Sequence, residues 1–334
     1  MTAEAILVTG AAGFIGSHYV RTLLGAGSGF EPSFESGGAA GAPRVTVLDK
    51  MTYAGNPANL AAVRDHPACT VVTGDICDAG LVEELMGHHR YVVNFAAESH
   101  VDRSIAGAGD FMTTNVLGTH TLLDAALRAG VRTFVQVSTD EVYGSLAAGS
   151  WTETAPLLPN SPYAASKAAA DLIALACHRT HGLDVRITRC SNTYGHHQYP
   201  EKLIPLFVTR LLRGLKVPLY GDGLNVREWL HVDDHVRAIE LVRTAGRPGE
   251  VYNVGGGTEL TNRELTGRLL AACGAGWEMV EQVADRKGHD RRYSLDCTKI
   301  RQELGYRPRT DFATGLAETV AWYRDNRHWW ERAW

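Results

Sequence analysis

Two pairs of residues in the sequence are suited to redox and acid–base chemistry. Tyr163 and Lys167 are four positions apart, so on a helix their side chains lie on one face. A lysine ammonium and the positive ring of an oxidised nicotinamide both stabilise a tyrosine phenolate. Lowering the phenol pKa from about 10 by roughly three units corresponds to about 4 kcal/mol. Because a phenolate can take the proton of a hydroxyl group, the pair predicts hydride transfer at a carbinol carbon.

The second pair, Asp140 and Glu141, directly follows an apolar stretch that ends in Ser138 and Thr139. Hydride transfer needs no carboxylates, but loss of water beside a transient ketone needs a base for the acidic C–H and an acid for the leaving hydroxyl. Two close carboxyl groups separate their pKa values and so provide one of each. Raising one pKa from about 4 to about 7 corresponds to roughly 4 kcal/mol, so we expect a dry site with few cations. An exposed loop pair is the structural alternative, but the position favours a dehydratase that borrows a nicotinamide.

Short apolar segments and helical stretches alternate through the first half of the chain. The predicted strands cover residues 5–9, 45–48, 70–73, 91–95, 133–137 and 184–189, and helices begin near residues 14, 81, 111 and 163. This alternation is typical of an α/β protein with a Rossmann-like, doubly wound parallel sheet. Ligands of such folds lie at the carboxyl ends of the strands, where both chemical pairs are expected.

The character of the sequence changes after Asn192, where loops rich in proline and glycine separate short elements. We therefore divide the chain into an NAD-binding Rossmann domain, residues 1–191, and a smaller C-terminal substrate-binding lobe, residues 192–334, with the chain crossing between them. Residues 25–43, dense in glycine, serine and alanine, form a predicted surface insertion to which we assign no function. Helices in the lobe are predicted at 203–212, 232–242, 262–272 and 312–322.

A glycine-rich turn between the first strand and the first helix is suited to a dinucleotide. Gly10, Gly13 and Gly16 let a pyrophosphate approach the backbone at a helix N-terminus. Their spacing differs from the G-x-G-x-x-G fingerprint, and such turns also serve packing, but the flanking strand and helix favour cofactor binding. Asp49 ends the second strand and would repel a 2′-phosphate, which favours NAD over NADP, although Lys50 weakens that argument. Further predicted cofactor contacts at this end are Phe14, Ile15, Asp75 and Ile76. The last two close the third strand beside the adenine, and a plain turn aspartate is the structural alternative for Asp75.

Composition and charge argue against several other classes of protein. Charged residues make up 21% of the 334 residues and the formal net charge is −4, so no nucleic-acid or membrane partner is indicated. No apolar run reaches the roughly 18 residues of a membrane span, and a strand begins too early to leave room for a signal peptide. The six scattered cysteines favour free thiols in a reducing cytoplasm. His231 and His235 lack the glutamate of H-E-x-x-H, so we expect no metal and assign them to helix capping and packing.

Four motifs carry a resemblance to a known family. They are Gly-x-x-Gly-Phe-Ile-Gly-Ser at 10–17, Ala-Ala-Glu-Ser-His-Val-Asp-Arg-Ser at 96–104, Ser-Thr-Asp-Glu-Val-Tyr-Gly at 138–144 and Tyr-x-x-x-Lys at 163–167. With them the chain resembles the extended short-chain dehydrogenase/reductases. Glu-Lys-Leu-Ile-Pro at 201–205 and Arg-Glu-Trp at 227–229 make it similar to the dTDP-glucose 4,6-dehydratases of deoxysugar pathways. The resemblance covers nearly the whole chain apart from residues 25–43.

The resemblance implies a reaction cycle at a bound hexose. Tyr163, beside Lys167, would take the proton of the 4-hydroxyl while a hydride passes to NAD, and Thr139 would hold the 4-oxygen. Glu141 would remove the C5 proton, and Asp140 would protonate the departing 6-hydroxyl. The hydride then returns to C6, which gives a 4-keto-6-deoxy sugar and regenerates an NAD that stays bound through turnover.

The resemblance also implies the contacts of both ligands. Arg227 and Arg286 would hold the diphosphate, although singly each is more typical of a solvated surface, and Tyr220 offers an aromatic face to the pyrimidine. The implied homodimer pairs helices 111–129 and 163–180. The predicted substrate contacts are Ser99, Asn192, Glu201, Lys202, Leu203, Tyr220, Arg227, Asn262, Arg286, His289 and Tyr293. The predicted cofactor contacts also include Ala96, Ala97, Thr114, Tyr163 and Lys167.

One loop departs from the family pattern. Thr193 stands where a second asparagine is usual, and His196 and His197 replace a proline–aromatic pair, which affects the shape of the loop and not the reaction type. The alternatives are a 4-epimerase or a dehydratase of UDP- or GDP-hexoses such as GDP-mannose, and a noncatalytic NAD-binding regulatory protein. An epimerase has no use for Asp140 and Glu141, and a regulator has no use for the whole catalytic set.

Overall fold

The computed structural model describes residues 4–26 and 43–331. Residues 27–42, most of the predicted insertion at 25–43, lie outside the described residues. In the described part the strands are, in chain order, β1 Ala5–Thr9, β2 Arg44–Asp49, β3 Cys69–Thr73, β4 Tyr91–Asn94, β5 Thr133–Thr139, β6 Val185–Cys190, β7 Asn192–Tyr194, β8 Val217–Tyr220, β9 Val226–His231, β10 Val251–Val254, β11 Thr258–Thr261 and β12 Val280–Val283.

The described residues form one large sheet of seven parallel strands, in the order β10-β6-β5-β4-β1-β2-β3. Strands β4 and β5 are buried along their whole length, as expected of parallel strands that are covered on both faces. Each strand predicted in the first half is present, with its ends shifted by at most two residues. The predicted α/β fold with a doubly wound sheet is confirmed.

Helices cover both faces of the large sheet. Apolar side chains of Phe14–Leu23 and Val232–Ala245 pack on one face, and those of Ala79–Met86, Thr119–Ala129 and Pro162–His181 pack on the other. None of the helices in residues 4–26 and 43–331 is long and apolar enough to cross a membrane. The remaining α-helices are Val101–Ala106, Gly109–Phe111, Leu203–Leu212, Asn262–Cys273, Thr298–Leu304, Phe312–Asp325 and Arg327–Trp330, with short 3₁₀ helices at Pro57–Leu60, Asp140–Tyr143 and Trp277–Met279.

The helix predicted to begin near residue 111 is interrupted at its start. Gly109–Phe111 is α-helical, Met112–Gly118 forms a π-helix, and Thr119–Ala129 resumes the α-helix. From the π-helical turn, the side chain of Asn115 accepts from the Glu98 N–H at 2.8 Å and donates to the Glu98 carbonyl at 3.0 Å. Such wider turns are frequent at functional sites. This one holds the loop that follows β4.

The C-terminal lobe has its own small sheets and its own core. Strands β11, β9 and β7 form a mixed three-stranded sheet, and β12 pairs with β8. Apolar side chains of Leu203–Leu212, Asn262–Cys273 and Phe312–Asp325 fill the lobe. The chain nevertheless returns to the large sheet, because β10 pairs with β6 at its edge. The division between residues 191 and 192 stays a prediction.

Candidate active site

The carboxyl ends of β1, β4, β5 and β6 open into two adjoining cavities. The first, here called the strand-edge cavity, runs from the glycine-rich turn to Lys167 and Cys190. The second, here called the lobe cavity, continues from Glu141 into the C-terminal lobe as far as Tyr293. Glu141 lines both cavities, so it lies where they meet.

The glycine-rich turn presents backbone to the strand-edge cavity. Gly10 has a φ of +66°, and a Cβ built there would lie 2.5 Å from the backbone nitrogen of Ala96. A Cβ on Gly16 would lie 2.5 Å from the Gly10 carbonyl oxygen. The helix Phe14–Leu23 begins here with Gly13 as its N-cap and no capping side chain. Its first N–H groups are therefore available to the pyrophosphate of a dinucleotide.

Asp49 is buried beside this turn, where β2 ends. One carboxylate oxygen accepts from the Ala12 N–H and the other from the Met51 N–H, both at 2.8 Å. The Lys50 ammonium pairs with the Asp75 carboxylate at 2.7 Å, which partly offsets its charge. A carboxylate has about four lone-pair positions, so Asp49 can shape the turn and still accept from a ribose hydroxyl. Both features favour NAD over NADP.

We expect Asp49→Asn to weaken NAD binding roughly tenfold or more and NADP binding less, because the amide keeps the shape of the side chain and loses its charge. Calorimetric titration with each dinucleotide measures the two dissociation constants. Asp78→Asn is the matched control, since Asp78 caps the helix Ala79–Met86 outside both cavities. An equal loss of NAD and NADP affinity would show that Asp49 shapes the turn without selecting the cofactor.

Tyr163 and Lys167 are buried on the helix Pro162–His181 and line the strand-edge cavity. The Lys167 ammonium donates to the Val137 carbonyl at 2.6 Å. Burial, followed by the charge of Glu141, raises the pKa of Tyr163 well above its ordinary value. Burial also lowers the pKa of Lys167. Burial and the nearby carboxylates thus oppose the phenolate, and the cations that would favour it are the Lys167 ammonium and the positive ring of an oxidised nicotinamide.

The carboxyl group of Asp140 lies in an enclosed place. The side chain is 2% exposed, and its Oδ1 accepts from the Thr139 hydroxyl at 3.2 Å. Its Oδ2 is buried and has no hydrogen-bond partner among the described residues. Burial, followed by the charges of Glu141 and Glu228, raises the pKa of Asp140 well above its ordinary value. Asp140 is therefore suited to hold a proton near neutral pH.

Glu141 has different surroundings, although it is the next residue. Burial raises the pKa of its carboxyl group, but the charges of Arg286, Lys202 and Arg227 act in the opposite direction. The expectation of few cations therefore does not hold for Glu141, because the C-terminal lobe brings three of them to this end of the loop. The surroundings of the two carboxyl groups thus differ in the direction that the prediction of Asp140 as acid and Glu141 as base requires.

Polar groups of the C-terminal lobe converge on the lobe cavity. The Arg227 guanidinium lies 4.3 Å from the centre of the Tyr293 ring and donates to the Asp290 carbonyl at 2.9 Å. Buried polar groups without a partner are unfavourable in a protein interior unless a ligand or water satisfies them. Atoms of the lobe cavity without a hydrogen bond among the described residues include Asn262 Oδ1, Arg286 Nε, Trp229 Nε1 and Glu201 Oε2, the last of which lies 3.9 Å from Arg103 Nε.

Every predicted site residue lines one of the two cavities, while the individual roles stay predictions. Glu141, Asn192, Glu201 and Lys202 line both. The strand-edge cavity is lined by Gly10, Gly13, Phe14, Ile15, Gly16, Asp49, Asp75, Ile76, Ala96, Ala97, Ser99, Thr114, Thr139, Asp140, Tyr163 and Lys167. The lobe cavity is lined by Leu203, Tyr220, Arg227, Asn262, Arg286, His289 and Tyr293.

Some cavity residues were not predicted. Tyr199 and Gln198 come from an irregular loop, and Cys190 ends β6, where its position at a strand end was the one available signal. Beside Tyr199, the Arg103 guanidinium lies 3.6 Å from the centre of the Tyr53 ring. The Tyr53 hydroxyl in turn donates to Glu201 at 3.3 Å. Contacts of this kind depend on how loops from both halves of the chain meet.

The two histidines at 231 and 235 take the predicted structural roles. His231 Nδ1 accepts from the Asp233 N–H at 3.3 Å and so caps the helix Val232–Ala245. His235 Nδ1 and the Thr193 hydroxyl form a hydrogen bond of 2.9 Å. No group of three or more metal-ligating side chains is placed to hold a metal ion within the described ranges 4–26 and 43–331.

Comparison with known proteins identifies the family. A family model described as GDP-mannose 4,6 dehydratase matches residues 7–319. A dTDP-glucose 4,6-dehydratase of Streptomyces antibioticus is 68% identical over 327 residues, which cover 98% of this chain and 94% of the relative. The crystal structure of DesIV, a dTDP-glucose 4,6-dehydratase of Streptomyces venezuelae with NAD bound, is similar with a TM-score of 0.94 and 62% identity over 99% of this chain and 100% of that one. The structure of a UDP-glucose 4-epimerase of Thermotoga maritima is also similar, with a TM-score of 0.86 and 32% identity, and the match covers 97% of this chain and 99% of that one. The chain belongs to the GDP-mannose 4,6 dehydratase family and, within it, to the dTDP-glucose 4,6-dehydratases, as the motifs predicted.

Proposed function

We propose that the chain removes water from dTDP-glucose to form dTDP-4-keto-6-deoxy-D-glucose, with NAD as a bound cofactor that is regenerated in every cycle. Relatives named for this activity support the proposal, at up to 68% identity. The observation that carries it is the difference between Asp140 and Glu141 at the end of β5. One carboxyl group is enclosed and suited to keep its proton, and the other faces three cations.

Each step of the proposed reaction has a suitable residue near the carboxyl ends of the parallel strands. NAD, when bound, supplies an acceptor for the hydride of C4 and a donor of the same hydride to C6. Tyr163 takes the proton of the 4-hydroxyl, and the Thr139 hydroxyl holds the resulting 4-oxygen. The C4 ketone makes the C5 proton acidic, and Glu141 takes it. Asp140 gives its proton to the 6-hydroxyl, which leaves as water.

The elimination leaves a C5–C6 double bond conjugated with the C4 ketone. A hydride added at C6 then places negative charge on C5 and the 4-oxygen, and a proton at C5 completes the product. Glu141 is protonated after the elimination, exchanges with solvent, and can supply a proton there. The carbon skeleton thus loses one water, and the cofactor ends in its starting oxidation state.

The lobe cavity offers contacts to the nucleotide. Arg227 and Arg286 present guanidinium groups to which diphosphate oxygens can bind, and Tyr220 supplies an aromatic face. The orphaned Arg286 Nε and Asn262 Oδ1 provide a donor and an acceptor. A dTDP group satisfies such atoms with its phosphate oxygens and its ring N–H. These contacts support the choice of a nucleotide sugar as substrate.

The test is turnover of dTDP-glucose by the purified, NAD-loaded chain. The 4-keto product absorbs in alkali, which gives a direct assay, and the double variant D140N/E141Q is the matched inactive control. Product with dTDP-glucose at a kcat/KM at least tenfold above that for UDP-glucose or GDP-mannose supports the proposal. Turnover of those hexoses alone would overturn the substrate assignment. Interconversion of dTDP-glucose and dTDP-galactose without loss of water would identify an epimerase.

We also propose that the chain acts as a homodimer through the helices Thr119–Ala129 and Pro162–His181, together with the π-helical turn that precedes the first of them. Leu172 is 54% exposed on the second helix and Leu117 is 58% exposed on the turn. Met112 adds a third exposed apolar side chain. A second copy that covers this face would bury them. We place the dimer in the cytoplasm, with which the six free thiols are compatible.

Leu172→Glu is expected to weaken this dimer at least about a hundredfold, because a twofold interface loses the burial of two leucines and brings two charges together. Analytical ultracentrifugation over a range of concentrations measures the dissociation constant. Leu224→Glu is the control, since Leu224 is 45% exposed in the C-terminal lobe, outside both helices. A dimer that survives L172E unchanged would place the interface elsewhere.

A further inference from the structure

A buried ion pair lies one helical turn beyond Lys167. Asp171 is on the same helix and 0% exposed, and its Oδ2 accepts from Arg189 Nε at 2.9 Å. Arg189, paired with Ser138 near the carboxyl end of β6, also donates to the Tyr143 hydroxyl at 2.9 Å. Tyr143 in turn donates to Asn253 Oδ1 at 2.8 Å. The network is fully interior and does not line either cavity.

One atom of this network lacks a partner. Asp171 Oδ1 is buried and accepts no hydrogen bond among the described residues. Its nearest sequence neighbour with an unused donor is Lys167, four residues earlier on the same face of the helix. The Lys167 ammonium has three N–H groups and gives one to the Val137 carbonyl. The carboxylate oxygen without a partner and the ammonium with spare donors thus belong to two buried residues one helical turn apart. Their charges interact, although no ion pair of 4.0 Å or less joins them among the described residues.

The charge of Lys167 matters for the reaction because a neutral amine does not stabilise the Tyr163 phenolate. Burial works against that charge, and Asp171 is the largest of the groups that favour it. We propose that Asp171 is a positioning residue for Tyr163: anchored by Arg189 through one oxygen, it directs its second oxygen toward Lys167 and holds that side chain as an ammonium. This inference rests on the proposed role of Tyr163 as the base that takes the hydroxyl proton.

Other titratable groups face the same pair. Asp140 and Glu141, at the end of β5, and Cys190, at the end of β6, act on Tyr163. Cys190 also acts on Lys167 from β6. None of these groups changes when Asp171 is replaced. A shift in the titration of Tyr163 on replacement of Asp171 therefore reports the path through Lys167.

The primary test is the ultraviolet titration of the Tyr163 phenolate in the NAD-bound protein without sugar, read as the difference from Y163F. We expect D171N to move this titration to higher pH by at least about one unit, and to move the acid limb of the kcat/KM profile in the same direction. D171E keeps the charge and is expected to restore most of the shift. Y143F removes a hydrogen bond from the same network without changing any charge, so it should leave the titration in place.

Loss of a buried partner can unfold a protein, so a second variant keeps the test decisive. D171N/R189M removes both members of the Asp171–Arg189 ion pair, so neither of these buried charges is left without the other, and it is expected to show the same upward shift as D171N. An unmoved titration in the folded variants, or an equal shift in Y143F, would overturn the proposal. The titration uses no sugar. Failure of the chain to turn over dTDP-glucose would therefore contradict the proposed function, but the effect of D171N on the titration of Tyr163 could still be interpreted.

Discussion

Tyr163→Phe is expected to lower kcat roughly 10²- to 10⁴-fold, because it removes the group that we propose takes the proton of the 4-hydroxyl. The first chemical step should fail, so no reduced nicotinamide should appear when NAD-loaded Y163F is mixed with dTDP-glucose. Stopped-flow absorbance of the reduced ring measures this step directly. Binding of the sugar should change little, since the phenyl ring keeps the shape of the side chain.

Two observations would contradict this role for Tyr163. One is formation of reduced nicotinamide in Y163F at the parental rate. The other is a similar loss of rate in Tyr293→Phe, because Tyr293 also lines the site but lies in the lobe cavity and donates to Asp290 at 2.6 Å. That variant is therefore the matched control, and we expect it to affect KM more than the hydride transfer.

Glu141→Gln is expected to stop the cycle one step later. Oxidation at C4 still occurs, because Tyr163 is intact, but the C5 proton has no base and kcat falls roughly 10²- to 10⁴-fold. Reduced nicotinamide should therefore accumulate on the enzyme, in contrast to Y163F. In deuterium oxide, the recovered sugar should carry no deuterium at C5.

Asp140→Asn distinguishes the proposed role of Asp140 as acid from that of Glu141 as base. Glu141 can still exchange the C5 proton in this variant, but the 6-hydroxyl has no acid and leaves slowly. D140N is thus expected to exchange the C5 proton with solvent without forming product. E141Q is expected to reduce the bound NAD without exchanging the C5 proton. Normal deuterium incorporation at C5 by E141Q would refute the assignment of Glu141 as base, and identical behaviour of the two variants would refute the division of roles.

The parallel sheet was predictable because its strands are short apolar runs that both faces must bury. The positions of Thr139, Asp140 and Glu141 followed from the same rule, since the end of a parallel strand is where a ligand meets the sheet. The π-helical turn at Met112–Gly118 was not predictable, because its sequence has no local signal for a wider turn. The turn is held by contacts of Asn115 with a distant loop, which arise only after folding.

The electrostatics of the site were predictable in part. A separated acid and base could be expected from two adjacent carboxyl groups, but their surroundings depend on side chains far away in the sequence. The cations beside Glu141 come from positions 202, 227 and 286, which only the folded lobe brings together. The sequence predicts a lowered pKa for Tyr163, whereas burial and then the charge of Glu141 raise it in the structure.

The return of the chain to the large sheet limits how enzymes of this architecture can diversify. Strand β10 is encoded within the C-terminal lobe, after its residues 192–250, yet Asn253 pairs in register with Arg189 of β6 and accepts from Tyr143. A chimaera that joins two parents once, between residues 191 and 192, therefore sets a strand of one parent against its neighbour from the other. New sugar specificities are then reached more readily by replacing single side chains around the lobe cavity than by recombination of gene halves.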